Sequence, residues 1–586
     1  MKNFLKTILA VFIGISLFIV AFFGIIFIFA SMAGAEKKAD IASNSILYLD
    51  LNYSIPEKTT TQGIDYMDLN ALGDKQIGLN DIIASIQQAK SDDKIKGIYI
   101  KEGAYANGMA TTEAIRDALI DFKKSGKFIY SYGDMYSQKG YYLASVADKI
   151  YLNPKGFIEL MGFGTKQYYL KGLLDKLGIE VQAFHRGKFK SAFDPLVRTD
   201  MSEANRQQIT ELLTDIYNHF LDEVSTARKI DRATLNIYID SAMIQNPAQA
   251  KKYGIITDVK YYDQVLGELA TKLNLSKNDK VSFTPLKDYI TSLKKEGGAD
   301  KIAIVFAQGN IVDGLGDEKN IGGDNYAKIF KKLRENKNVK AIVIRINSGG
   351  GSALASEIMW REISLTKAVK PVIVSFGDVA ASGGYYMACN SDRIFAQPNT
   401  ITGSIGVFGL IPNGQKLLNE KLGVTTDEVR ITKHGVQNIG VKPLDDFESR
   451  YIQNSIDSTY ETFLTRVANG RKQTFAQIED KAEGRVWSGV QAIKIGLVDE
   501  IGSLDDAIAY AAKKANIKKP NVVNYPQDKE LIDKLLENME EKNEVKMIET
   551  KFGKEYAQIY LQFLSVKSMI GTHNIQTRMP YDLIIE

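Results

Sequence analysis

Cysteine occurs once in the 586 residues, as Cys389, and histidine four times. A single thiol excludes an internal disulfide and any metal site built on several cysteines, so the usual clue to redox compartment is missing. Following Tyr-Tyr-Met-Ala, Cys389 reads as a small buried apolar residue. Charge of one sign is also lacking. The 74 basic and 70 acidic residues leave a net +4, too little to argue for nucleic acid as a partner, and the surface reads as mixed and soluble. The phosphate-loop pattern GxxxxGK followed by Ser or Thr is absent. None of His185, His219, His434 and His573 stands in a recognisable triad signature.

What is present begins at the N-terminus. Lys2 and Lys6 precede Ile8 to Ala30, an uncharged stretch of 23 residues rich in Ile, Phe, Leu and Val. A bilayer core takes about 20 such residues in a helix. Ala33-Gly34-Ala35 offers a small-residue cleavage site, but cleavable apolar regions run to about 15 residues, so a retained anchor is expected. Basic residues on the short side put that end in the cytoplasm and the bulk of the chain beyond the membrane.

An internal repeat organises the rest. KFIYSYGDMYSQKGYYLASVADKIYLNP from Lys127 resembles KPVIVSFGDVAASGGYYMACNSDRIFAQP from Lys370, with Gly133-Asp134 matching Gly377-Asp378 at an offset of 244. LDKLGIEV around Gly178 matches LNEKLGVT around Gly423, and Pro247 to Ala250 with Gly254 match Gly489 to Ala492 with Gly496. In the second repeat the runs 302–307, 341–346 and 372–376 read as buried strands, and Tyr326, Ile329, Phe330 and Leu333 share one helix face. Strands alternating with helices predict an α/β fold with parallel sheet, in two tandem domains over 45–293 and 301–525. Residues 1–35 form the stub and anchor, and Lys294 to Asp300 the linker. In the tail, 526–586, Leu531, Leu535 and Met539 space one amphipathic helix, and Tyr556, Ile559, Tyr560 and Phe563 another.

Two motifs carry chemistry. In GDVAASGGYY, Gly377 to Tyr386, a strand ending at Phe376 leads through a Gly-Asp turn to Ser382 at the start of a helix. Free N–H groups there favour a developing negative charge, although a serine in that place can also be a plain helix cap. In IRINSGGGS, Ile344 to Ser352, a buried strand runs into Gly349, Gly350 and Gly351, whose N–H groups suit an oxyanion or a phosphate. Paired with the serine motif, acyl transfer is the better reading. A base for the serine can be sought in His185 or His434, or in a lysine of HRGKFKSAFDP, where Lys188 and Lys190 stand. Lysine serves only when neutral, which desolvation can achieve.

GDVAASGGYYMA, INSGGGS, TGSIGV (402–407), GKFKSAFDP and GRVWSGVQAIKIGLVDEIGSLDDA (484–507) together resemble the signal peptide peptidase A family in its long form. The resemblance covers about residues 45–515 and implies two Clp-protease/crotonase-like domains. It implies Ser382 as nucleophile and Lys190, the lysine of the family's Phe/Tyr-Lys-Ser-Ala motif, as general base. Gly350 and Gly383 would give the oxyanion N–H groups, and Ser404 would support the lysine. Lys433, which aligns with Lys188, is the rival base. The family ordinarily has proline where Gly349 stands. Gln138 and Lys139 replace Ser382 and Gly383 in the first repeat, while Lys190 falls opposite about Gly435.

The implied enzyme is a serine endopeptidase without metal or cofactor. It would act on cleaved signal peptides and other apolar peptides, as a homo-oligomer (a tetramer) held by residues 8–30 in the bacterial inner membrane, with its catalytic domains on the periplasmic side. A crotonase-type acyl-CoA enzyme or a catalytically inactive membrane scaffold are the alternatives. The first would need neither the dyad nor the anchor, and the second would be expected to lose the dyad.

Overall fold

Runs such as IAIVFA have no polar face, so a strand made of them must be covered on both sides. In strand Lys301–Gln308 the covering is explicit. Ile302, Ile304 and Phe306 pack with Ala507 and Ala511 of helix Leu504–Lys514. Ala303, Val305 and Ala307 pack on the other face with Tyr326, Phe330 and Leu333 of helix Gly323–Glu335 and Met359 of helix Ala353–Lys367. Each large aliphatic or aromatic side chain so buried contributes about 1.5–3 kcal/mol.

The computed structural model describes residue 14 and residues 39–61, 75–276, 279–293, 297–317, 319–527 and 575–579. Apart from residue 14, the anchor expected over residues 8–30 lies outside them, as do the first three linker residues, both predicted tail helices and His573. Among the described residues no helix is long and apolar enough to cross a membrane.

The two repeats build the same parallel sheet. In the first the strand order is Asp258–Val259, Lys149–Ile158, Phe128–Tyr136, Ile95–Glu102, Ser45–Asp50 and Phe283–Pro285. Its counterpart runs Glu500–Ile501, Arg393–Ala396, Val372–Ala381, Val339–Ser348, Lys301–Gln308 and Asn521–Tyr525. The second sheet adds Ile401–Gly403 beside the end of Val372–Ala381, and antiparallel Val486–Ser488 beyond it. A smaller sheet crosses between the repeats, because Glu180–Arg186 of the first pairs antiparallel with Val407–Asn413 of the second.

One local expectation is corrected. The strand predicted to stop at Phe376 continues to Ala381, with no turn at Gly377-Asp378. A register shift after Ile346 lets Ser348 pair with Ala380, and the Val379 N–H is taken by Asn347 Oδ1 at 3.1 Å. Asp378 accepts hydrogen bonds from the Thr111 N–H and Oγ1 at 2.9 and 2.6 Å, tying this strand to the first repeat.

A second tie is ionic and buried. Arg345, 2% exposed, donates from Nε to Glu57 Oε2 at 2.8 Å and from its NH1 group to Ser375 Oγ at 2.9 Å, while Asn347 Nδ2 donates to Glu57 Oε1 at 2.8 Å. Removing one partner strands the other charge in a dry interior, so Glu57→Ala should cost about 3–5 kcal/mol. Equilibrium urea unfolding of the variant checks this. A loss below 1 kcal/mol would mean that water reaches the guanidinium.

Candidate active site

Ser382 sits where strand Val372–Ala381 gives way to helix Gly383–Ala388, and its backbone is strained, at φ 55° and ψ −114°. A positive φ in a residue with a Cβ costs on the order of 1–3 kcal/mol and persists only when its surroundings impose it. Here the Ser382 N–H donates to Gly403 O and the Ser382 carbonyl accepts from the Tyr386 N–H, both at 2.8 Å. The helix is pinned from below, Tyr385 OH donating to Leu497 O at 2.8 Å and Tyr386 OH to Glu357 Oε2 at 2.6 Å.

The loop after strand Glu180–Arg186 brings Lys190 to it. The Phe189 N–H donates to Glu483 O at 2.9 Å, and Gln208 Nε2 donates to Phe189 O at 2.8 Å. Lys190 is 1% exposed. Its Nζ lies 2.7 Å from Ser382 Oγ, 3.0 Å from Ser404 O and 3.1 Å from Ser404 Oγ. These three neighbours are uncharged. Burial therefore holds the Lys190 pKa well below the ordinary lysine range.

Gly350 and Gly383 meet beside this pair. Gly350 has φ +99°, and a Cβ on it would lie 2.7 Å from the Gly383 nitrogen and 3.1 Å from Ser382 Cβ. A side chain there would collide with the Thr577 carbonyl oxygen and crowd Ser382. The Gly350 N–H donates to Ser348 Oγ at 3.1 Å in this state. Rather than forming a bare turn, Gly350–Ser352 is a short strand of the crossing sheet.

The other candidate bases are elsewhere. Lys188, Lys433, His185 and His434 are exposed; Lys188 Nζ stands over the Phe189 ring, and the His434 ring lies on Phe447. His219 shares a hydrogen bond with Glu113 at 3.1 Å. In the first repeat Gln138, at the serine's place, is engaged by backbone. Its Nε2 donates to Gly162 O at 3.0 Å, and its Oε1 accepts from the N–H groups of Met161 and Gly162 at 3.1 and 2.9 Å.

Sequence reasoning gave no role to Gly484, which stands behind Lys190 with φ +77° and passes its N–H to Ile405 O at 2.8 Å. It also missed Gln576–Arg578, which forms a strand of the crossing sheet between Gly350–Ser352 and Val407–Asn413. The first lies in a motif already noted, GRVWSG. The second is too short and too polar to leave a periodicity.

The sequence pattern of Peptidase family S49 matches residues 121–276 and again 364–518, one match in each repeat. "Protease 4" of Haemophilus influenzae is 35% identical over 531 residues, covering 88% of this chain and 85% of that protein. The chloroplastic "Serine protease SPPA" of Arabidopsis thaliana is 36% identical over 452 residues, 75% of this chain and 66% of that one. A "Putative signal peptide peptidase SppA" of Enterococcus faecium is 32% identical over 243 residues, 40% of this chain and 70% of its own length.

Proposed function

The chain belongs to Peptidase family S49 and is a serine protease, and from that premise we propose that it cuts apolar peptides, signal peptides among them, with a Ser382-Lys190 dyad. The observation that carries this reading is the 2.7 Å contact between Ser382 Oγ and a fully buried Lys190 Nζ. Neutral Lys190 takes the Ser382 proton as Oγ attacks the peptide carbonyl, and the tetrahedral oxyanion is held by the N–H groups of Gly383 and Gly350. For the latter, the Gly350 N–H must exchange its bond to Ser348 Oγ for one to the oxyanion. Lys190 then gives the proton to the leaving amine. Water, deprotonated by the same lysine, splits the acyl-enzyme and restores the hydroxyl. Ser404, accepting from the lysine through both Oγ and its carbonyl, fixes the direction of Nζ.

The same reading assigns both halves to the Clp-protease/crotonase fold, supported by their shared parallel strand order. It places the enzyme in a bacterial inner membrane through the apolar stretch 8–30, with the catalytic halves on the periplasmic side and the copies in a homo-tetramer. Alkaline extraction of membranes and light scattering in detergent check those two points.

A pH profile tests the dyad. Because burial lowers the lysine's pKa, its neutral form is abundant at a pH where a free lysine, near 10.4, is almost wholly protonated. On the acid limb kcat/KM for a synthetic apolar peptide should rise about tenfold per pH unit and level off well below pH 10. A profile still climbing through pH 10 would point to an exposed lysine as the base.

A further inference from the structure

Ser382 and Lys190 come from different repeats, so their contact lasts only while the two repeats are held in register. Helix Glu203–Arg228 follows the loop that carries Lys190 and lays one face on the second repeat. Gln208, Glu211 and Asp215 are spaced to share that face. Glu211 accepts a hydrogen bond from the Arg485 guanidinium, and Asp215 accepts one from Ser488 Oγ. Gln208, 1% exposed, reaches both repeats at once.

Gln208 Nε2 donates to Phe189 O at 2.8 Å and to Asn205 Oδ1 at 3.0 Å, with Ser191 Oγ 3.3 Å away. Its Oε1 accepts from the Val486 N–H at 3.2 Å. Phe189 O can only accept and the Val486 N–H can only donate, which fixes the orientation of the amide. Phe189 and Ser191 flank Lys190. Val486 pairs with Gly403, whose carbonyl takes the Ser382 N–H at 2.8 Å. The neighbouring Arg485 carbonyl takes the Ser404 N–H at 2.7 Å. One side chain thus joins the residues beside the base to the backbone that supports the nucleophile.

The fold itself does not ask for a buried glutamine here. The equivalent helix of the second repeat, Asp446–Arg471, also has 26 residues and also ends at a left-handed lysine, Lys472 in place of Lys229. Counted back from those lysines, Gln208 corresponds to Tyr451, which is 67% exposed. The buried amide belongs to the repeat that carries the lysine.

We propose that Gln208 is a positioning residue for the dyad, a buried amide that locks the lysine loop of the first repeat to the nucleophile's support in the second. This rests on the Ser382-Lys190 reading of the site. None of its hydrogen bonds goes to a reacting atom, and it acts through Phe189 and Val486. Without it the loop is free to shift, and a displacement of about 1 Å costs about 10²-fold in rate.

Gln208→Met keeps the length of the side chain and removes all of its hydrogen bonds. In the full-length chain it should lower kcat for an apolar peptide about 10²-fold and change KM by less than about twofold. As Nζ slips from its enclosure, the acid limb of kcat/KM should move to higher pH, which loss of folded protein alone would not cause. Gln208→Glu supplies a rescue. Its carboxyl group has a donor and an acceptor while protonated, and no donor once ionised. Its kcat relative to wild type should therefore approach unity at low pH and fall as the pH rises. Wild-type kcat in both variants would overturn the proposal. So would a loss in Gln208→Met that only follows the folded fraction measured by circular dichroism, with an unmoved pH profile. Should Gln208→Met fail to fold, Gln208→Glu decides, and a ratio flat with pH overturns the proposal. If Lys190→Ala is inactive while both Gln208 variants are fully active, this inference fails alone. If Lys190→Ala keeps near-full activity, the dyad reading fails and the proposal falls with it.

Discussion

Lys190→Ala should lower kcat for an apolar peptide by about 10³–10⁴-fold, and Ser382→Ala by at least as much. Both chains should stay folded. Oγ is a poor nucleophile while it keeps its proton, and among the described residues Lys190 Nζ is the basic group in contact with it. Losing either partner disables the same step, so the double variant should be no slower than the worse single one. Stability separates this from collapse. In the folded chain burial keeps Lys190 neutral over a pH range where the unfolded chain holds the proton. The unfolded state then binds more protons, so this group makes stability rise with pH from its depressed folded value up to the ordinary lysine value. Lys190→Met removes that dependence. It should melt at or above the wild-type temperature at neutral pH, with a flatter alkaline limb. Lys190→Met that is inactive and also much less stable would point to a structural role for the ammonium.

How much of this was legible beforehand follows from what each feature depends on. The strands at 301–308 and 339–348 were readable because two-sided burial imposes an unbroken apolar run, and the repeat because two copies of one fold keep the same glycines and turns. The nearness of Ser382 and Lys190 was different in kind. They are 192 residues apart and lie in different repeats, so composition and spacing left several bases open, and it was the family resemblance that pointed to Lys190. Burial then distinguishes the candidates: Lys190 is enclosed beneath Gly484, whereas Lys188, two residues away, is exposed. The continuation of strand Val372–Ala381 past Gly377-Asp378 could not be read locally, because the tie to Thr111 that accompanies it comes from the other repeat.

Gly484→Ala should cut kcat by about 10²-fold while leaving KM nearly unchanged, the cost of moving a catalytic group by about 1 Å. The residue touches no reacting atom and acts by position. A Cβ at Gly484 would lie 2.6 Å from both Cβ and N of Lys190 and 2.7 Å from its Cα. Those are atoms of the loop itself, which cannot swing aside as the far end of a side chain can. The loop must shift, and Nζ leaves its place between Ser382 Oγ and Ser404. If Nζ thereby gains access to water, its pKa rises, and the acid limb of the pH profile should move to higher pH along with the loss in kcat. Backbone strain is the competing explanation, since alanine at φ +77° costs on the order of 1 kcal/mol anywhere. Gly126 isolates that cost: it has φ +78° and nothing within 4 Å of where its Cβ would be. Gly126→Ala should lose comparable stability and keep full activity with an unmoved pH profile. Should the two variants lose activity equally, strain alone accounts for the effect. Full activity in both would mean that the loop carrying Lys190 yields without displacing the amine.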